Sequence, residues 1–174
     1  KKEAQMKITL IAAMDDNLGI GKNGKLPWHK KYDLQHFKDY TQGKVCLMGR
    51  KTWDSINRTP LKNRENIIIS KHRNGIIPKT VILYHGYGQS ITDRCVGSII
   101  NDIESNVEFD ELVIIGGASI YEQFLPYATH MVLTHINGNY NCDTFFPDID
   151  ASEWFAYEWK DIENGKVHYM ERTK

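Results

Sequence analysis

Six short apolar runs do most to decide how this chain can fold: Ile8 to Met14, Val45 to Met48, Ile67 to Ile69, Val81 to Tyr84, Leu112 to Ile115 and Met131 to Ile136. Several are nearly continuous rather than alternating, which is the pattern of strands covered on both faces. Segments with helical spacing lie between them, at 32–42, 50–57, 97–106 and 118–125. This alternation predicts an α/β domain on a largely parallel central sheet. The C-terminal part departs from it. Trp154 to Lys160 and Lys166 to Arg172 flank Glu163-Asn164-Gly165, a hairpin signal, so the sheet is expected to finish with an antiparallel edge. The polar piece from Gly86 to Gly97 reads as a long surface loop.

The 174 residues fit one domain, taken as 6–174. Lys1 to Gln5, before Met6, read as an added leader or a disordered extension. The 22 basic and 22 acidic residues cancel, so bulk charge gives no case for nucleic acid as a partner. Three cysteines, at 46, 95 and 142, form no C-x-x-C pair, which argues against a disulfide framework and a zinc site and points to a reducing cytoplasm. No apolar run reaches ~18 residues, so no membrane span is expected. The seven histidines make no metal pattern, and His29 and His36 read as solvent-facing.

Gly19-Ile20-Gly21-Lys22-Asn23-Gly24 matches G-x-G-x-x-G after a strand, but Lys25-Leu26-Pro27-Trp28 follows where a dinucleotide fingerprint needs a helix. The simpler reading is a mobile glycine loop that could cover a ligand. Two other junctions have the required context. Met48-Gly49-Arg50-Lys51-Thr52 and Ile115-Gly116-Gly117-Ala118-Ser119 each follow a strand and open a helix, a setting suited to phosphate. Asp33 raises a different question. Among four lysines and two histidines it reads either as an ordinary surface acid of a basic helix or, if the helix turns it the same way as Phe37, as an interior carboxylate, where an unpaired charge is costly.

In order and spacing these residues resemble the dihydrofolate reductase family. The resemblance rests on Ile8-Thr9-Leu10-Ile11-Ala12-Ala13, Gly19-Ile20-Gly21, Leu26-Pro27-Trp28, Asp33-Leu34, Phe37-Lys38, Met48 to Trp53, Ser55-Ile56, Arg64-Glu65-Asn66, Ile115-Gly116-Gly117, Tyr121 and Leu133 to Ile136. It implies an eight-stranded mixed, mostly parallel sheet with four helices and a C-terminal antiparallel hairpin. It also implies NADPH-dependent reduction of 7,8-dihydrofolate to 5,6,7,8-tetrahydrofolate for one-carbon metabolism, in a cytoplasmic monomer that binds dihydrofolate and antifolates.

The resemblance assigns roles residue by residue. Asp33 would orient the pterin through its 2-amino group and N3 and favour a proton on N5, while hydride passes from nicotinamide C4 to pterin C6. Trp28 would hold a water near Asp33, and Thr134 would meet the pterin edge. Ile11, Ala12, Leu34, Phe37, Ile56, Leu61 and Ile115 would line the substrate pocket. Arg64 would clamp the glutamate α-carboxylate, with Arg58 touching the same tail less tightly. Ala13, Ile20, Gly116, Gly117 and Tyr121 would meet the nicotinamide, Thr52 the pyrophosphate, and Arg50, Lys51 and Lys71 the 2′-phosphate. Gly21, Asn23, Gly24, Leu26, Gly49, Ser70, Ala118, Ser119, Ile120 and Gln123 complete the implied cofactor contacts. The Gly116-Gly117 bond is expected to be cis. Leu34, Phe37 and Ile115 would be apolar in any α/β core, whereas Asp33 and Arg64 each need a partner. Two rivals stay open from the residues alone: a pyrimidine reductase of riboflavin synthesis, and a folate- or nucleotide-binding protein without turnover.

Overall fold

The computed structural model describes residues 6–28, 31–71, 78, 81–85 and 93–173. Its strands are β1 (Lys7–Met14), β2 (Gly19–Gly21), β3 (Val45–Gly49), β4 (Glu65–Ser70), β5 (Val81–His85), β6 (Glu111–Gly116), β7 (His130–Ile136), β8 (Thr144–Phe145), β9 (Trp154–Ile162) and β10 (Gly165–Arg172). The α-helices are α1 (Lys31–Thr41), α2 (Arg50–Ser55), α3 (Asp93–Asn106) and α4 (Ala118–Phe124). Eight strands form one sheet in the order β5-β4-β3-β6-β1-β7-β10-β9, and β2 pairs with β8 in a small second sheet. From β5 to β7 all neighbours are parallel; β10 is antiparallel to both β7 and β9. The predicted mixed sheet with an antiparallel end is therefore the fold.

Burial on both faces explains the near-continuous apolar runs. From β1, Ile8, Leu10, Ala12 and Met14 enter the main core with Val96, Ile100 and Ile103 of α3 and Phe124 of α4. Ile11 faces the other way, onto a cluster with Val132 and Val167 against which Tyr32, Phe37 and Tyr40 of α1 pack. A third cluster, Met48, Trp53, Ile68 and Val81, seats α2. Because the parallel strands run the same way, their carboxyl ends share one edge of the sheet, where ligands of such folds bind.

Four expectations need correction. α3 has begun by Asp93, so the loop expected over Gly86 to Gly97 fails for 93–97, where Val96 is already core; residues 86–92 lie outside the described residues. Gly19 to Gly24 is not an open glycine loop. Gly19–Gly21 pairs with β8, and Asn23-Gly24, at φ 51 and 73, make a tight turn closed by Lys22–Lys25 backbone bonds of 2.8 and 3.0 Å. At the C-terminal hairpin the turn is Glu163-Asn164, with Asn164 at φ 63, while Gly165 already belongs to β10. A side chain at Gly165 would overlap the His135 carbonyl, so that glycine serves strand approach rather than the turn. His36 is half-buried, stacked on Tyr32 at 6.0 Å and beside Tyr40 and Tyr169, because it lies on the flank of α1 that faces β10. His29 lies outside the described residues.

Candidate active site

Asp33 is 8% exposed in the first turn of α1. Residues four apart share a helix face, so Asp33, Phe37 and Thr41 turn inward together, and Leu34 sits on the rim at 58% exposure. Of the two placements open to Asp33 in the sequence, the fold adopts the interior one. Burial pushes the Asp33 carboxyl up, opposed by the hydrogen bond from Trp28. Trp28 Nε1 donates directly to Asp33 Oδ2 at 3.3 Å, where the resemblance implied a water near Asp33. The Trp28 ring is held in place by an edge contact with Tyr140 at 5.3 Å.

Across the sheet edge from Asp33, Ala13 pairs with Thr134, which is buried in β7. Tyr121, from α4, donates its hydroxyl to the Ile11 carbonyl at 2.6 Å and packs on Phe146 at 5.0 Å. Burial, with the nearby Asp33 charge, pushes the Tyr121 phenol far up, so it stays protonated and committed to that bond. Between β3 and β6 the register slips: Leu47 faces Ile114 and Met48 faces Gly116. Ile115 is the extra residue of this bulge, and it packs against both the Ile11 cluster and the Met48–Trp53 cluster. It therefore joins Phe37 on one wall to Ile56 and Leu61 on the other.

Arg64 is pre-positioned rather than free. Its Nη1 donates to Thr41 Oγ1 at 2.9 Å and its Nε to the Lys62 carbonyl at 3.0 Å. Buried Asn66 holds the turn that carries Arg64, bonding Leu61 N–H at 2.9 Å and the Leu61 and Arg64 carbonyls at 3.0 and 2.9 Å. Arg58 is exposed and paired with Asp54 at 2.7 Å, which keeps it off the cleft floor.

The two strand-to-helix turns lie side by side. Gly49 precedes α2 and Gly117 precedes α4, each without a side-chain cap. Gly49 packs so closely on α4 that an added Cβ would lie 2.7 Å from Ile120 Cγ1. Gly116, at φ 128, faces Thr52 Oγ1 and the Tyr121 hydroxyl, and its bond to Gly117 is cis, as the resemblance implied. Gln123 bonds the Ser119 carbonyl and hydroxyl at 2.9 and 2.8 Å, leaving its Oε1 buried without a partner among the described residues. Ala118 is half-buried at the start of α4. Arg50 is tethered to Asp54 at 3.2 Å, Lys51 and Lys71 are exposed, and Ser70 is buried at the end of β4. On the other side of the edge, Ile20 packs half-buried on the main core, Gly21 pairs with Thr144, and Leu26 is 42% exposed.

Three residues that hold site side chains were given no role from the sequence: Thr41, Asn66 and Tyr140, of which Asn66 stood only within the Arg64-Glu65-Asn66 motif. Asn66 carried a signal, a polar residue opening the apolar run Ile67 to Ile69; the partners of the others are distant in sequence. A polar groove at the opposite sheet edge is lined by Lys44, Arg64, Glu65, Glu108, Asp110 and Glu111, so Arg64 also borders it. Its buried acid, Glu111, is already met by Thr9, Tyr40 and Lys44.

A covered α/β sheet with two glycine turns at its carboxyl edge, and the buried carboxylate of Asp33 beside them, is the arrangement of an enzyme that takes a nucleotide cofactor. The dihydrofolate reductase family model matches residues 7–173. The chain is 40% identical over 168 residues to the dihydrofolate reductase of Buchnera aphidicola subsp. Schizaphis graminum, covering 97% of this chain and 92% of that one. It is 39% identical over 149 residues to that of Neisseria gonorrhoeae, covering 86% and 84%. Among solved structures it resembles dihydrofolate reductase from Enterococcus faecalis complexed with NADP(H) and RAB-propyl, with TM-score 0.82, 26% identity and 98% of each chain covered. The chain belongs to the dihydrofolate reductase family, whose members reduce 7,8-dihydrofolate with NADPH.

Proposed function

We propose that this chain reduces 7,8-dihydrofolate to 5,6,7,8-tetrahydrofolate with NADPH, and that Asp33 orients the pterin. The observation that carries this reading is the Asp33 carboxylate, buried, raised in pKa, and with Trp28 as its one hydrogen-bond partner among the described residues. A carboxylate offers roughly four acceptor positions. Asp33 therefore keeps acceptors for two parallel N–H groups, which the 2-amino group and N3 of a pterin present. Such a pair fixes the plane of the ring, and the negative charge favours a proton on N5, taken from water.

NADPH, when bound, supplies the hydride that pterin C6 receives. The residues present suit it: two uncapped helix starts beside Arg50 and Lys51, a glycine facing Thr52 and Tyr121, and a spare buried acceptor on Gln123. Ala13, Ile20, Gly116 and Gly117 form the nicotinamide end, with Gly21, Asn23, Gly24 and Leu26 above it. Gly49, Thr52, Ala118, Ser119 and Ile120 serve the pyrophosphate, and Arg50, Lys51, Ser70 and Lys71 the 2′-phosphate. Tyr121 acts by position, holding the Ile11 carbonyl, rather than by moving a proton. Thr134 meets the pterin edge, and Ile11, Ala12, Leu34, Phe37, Ile56, Leu61 and Ile115 hold the ring and the aminobenzoyl group. Arg64 takes the glutamate α-carboxylate with its planar fork, and Arg58 a looser position on the same tail.

Aminopyrimidine antifolates would compete for Asp33. We assign the activity to one domain over 6–174, working as a cytoplasmic monomer without nucleic acid; the balanced charge and the free thiols of Cys46 and Cys142 support this. The test is the loss of NADPH absorbance with dihydrofolate as the only other reactant. No turnover at any pH would end the reading.

A further inference from the structure

Asp15, at the end of β1, is 1% exposed, and its carboxylate accepts four hydrogen bonds. Oδ1 accepts from the N–H groups of Asn17 at 2.9 Å and Gly19 at 2.8 Å; Oδ2 accepts from the Tyr140 N–H at 3.0 Å and the Cys142 thiol at 3.6 Å. The Asp15 N–H also donates to the Gly19 carbonyl at 3.0 Å, so Gly19 is held at both its polar groups. Burial by itself would raise the Asp15 pKa, but the N–H groups of Tyr140, Gly19 and Asn17 outweigh it and hold the carboxyl below the usual range. One buried anion thus joins the turn before β2 to the loop before β8. Its neighbour Asp16 makes an exposed version of the same tie, to His135 at 2.7 Å and the Gly138 N–H at 3.0 Å, where solvent screens it.

Both joined segments lead into the crevice. Gly19 precedes Ile20, and there is no slack beside it, since an added Cβ would lie 2.5 Å from Cys142 Cβ and 2.8 Å from Asp15 Oδ1. Tyr140 packs edge-on against Trp28 at 5.3 Å, and Trp28 donates to Asp33 at 3.3 Å. We propose that Asp15 is a positioning residue of this reductase, which from outside the crevice holds Ile20 on the cofactor side and the Tyr140–Trp28 pair on the pterin side in a single register. The inference rests on the reading that the crevice takes NADPH and dihydrofolate.

Asp15→Asn keeps the shape but sets an NH2 group against N–H donors, so one half of the latch opens. It is expected to raise the NADPH Kd and lower kcat with dihydrofolate by about tenfold each, the size of a lost bond to a charged acceptor. The Gly19 and Tyr140 amides should also lose hydrogen-exchange protection. Tyr140→Ala cuts the pterin route alone. Its dihydrofolate KM should rise and its pH profile shift through Asp33, while the NADPH Kd stays within about twofold of the unchanged chain. If Asp15 were merely structural, Asp15→Asn would lower Tm and leave Kd and kcat unmoved well below the transition, and that result overturns the proposal. Should Asp15→Asn not fold, Tyr140→Ala decides: an unmoved dihydrofolate KM and pH profile overturn it equally. Wild-type turnover is followed in parallel. Its absence would strike the reading of the crevice, whereas normal wild-type turnover with unchanged variants strikes Asp15.

Discussion

Thr41 Oγ1 accepts a hydrogen bond from Arg64 Nη1 at 2.9 Å while donating to the Phe37 carbonyl at 2.7 Å. The last residue of α1 thereby sets the orientation of the guanidinium expected to hold the folate tail. The same helix carries Asp33 two turns earlier, so one rigid element positions both of the polar anchors proposed for the substrate.

Thr41→Val should raise the dihydrofolate KM by a few-fold with kcat nearly unchanged, because one bond orienting Arg64 is worth about 0.5–1.5 kcal/mol. Arg64→Leu should cost the tail contact itself, ~2–5 kcal/mol of dihydrofolate affinity. A pteridine without a glutamate tail should bind both variants as it binds the parent. Titration calorimetry with the two ligands separates these outcomes; equal losses for both would remove Arg64 from the tail site.

Asp33→Asn should keep NADPH binding yet lose most activity at neutral pH, with partial recovery in acid, where the substrate arrives protonated. The same substitution should stabilise the ligand-free chain. Burial raises the Asp33 pKa above the ordinary 3.8 of the unfolded chain, so its charge works against the fold as pH rises from 3.8 through the folded pKa and above. Each kcal/mol recovered corresponds to roughly 2–4 °C in Tm for a chain of this size. Calorimetry at pH 7 and at pH below 3.8 should find the gain at the first and not at the second.

Arg50→Ala and Lys51→Ala should each raise the KM for NADPH about tenfold, as expected for one charge-assisted phosphate contact. The KM for NADH should barely move. Arg50 must also give up its exposed pair with Asp54, a bond worth roughly 0–1 kcal/mol, so the exchange is cheap. An equal rise for both cofactors would place these cations away from the 2′-phosphate.

Glu111 should make the fold acid-sensitive without touching the chemistry. Burial would raise its pKa, but Lys44, Thr9 and Tyr40 push it down to about 2 from 4.5. Its contribution to stability is therefore complete above pH 4.5 and is lost as pH falls toward about 2. Glu111→Gln should lower Tm at pH 7 and flatten the Tm decline across that window. A parent and variant with parallel Tm curves would show that Glu111 is not the group responsible.

Much of the site was legible before the fold was known. Helical spacing allowed Asp33 an interior place on the face of Phe37, and the resemblance supplied the partner that such a charge requires. The two glycine turns could be placed because each stands between an apolar run and a helical one. Leu34 shows the limit: its identity fits a pocket wall, yet one step of 100° around α1 leaves it 58% exposed on the rim. The Asn-Gly signal was likewise read at 164–165, where glycine serves strand approach, and passed over at Asn23-Gly24, where it makes the tight turn.

By itself the sequence determined the α/β class, the eight strands of the main sheet in chain order and the antiparallel end, because each depends on local periodicity or on short motifs; β2 and β8 were too short to register. Only the tertiary structure decided which polar groups meet: Trp28 with Asp33, Thr41 with Arg64, Asp15 with Tyr140, Glu111 with Lys44. Most of these partners are far apart in the chain, and their bonds exist because packing the sheet brings them together and removes the water that would otherwise satisfy them. Periodicity records which side of an element is buried; it carries no record of what will lie opposite.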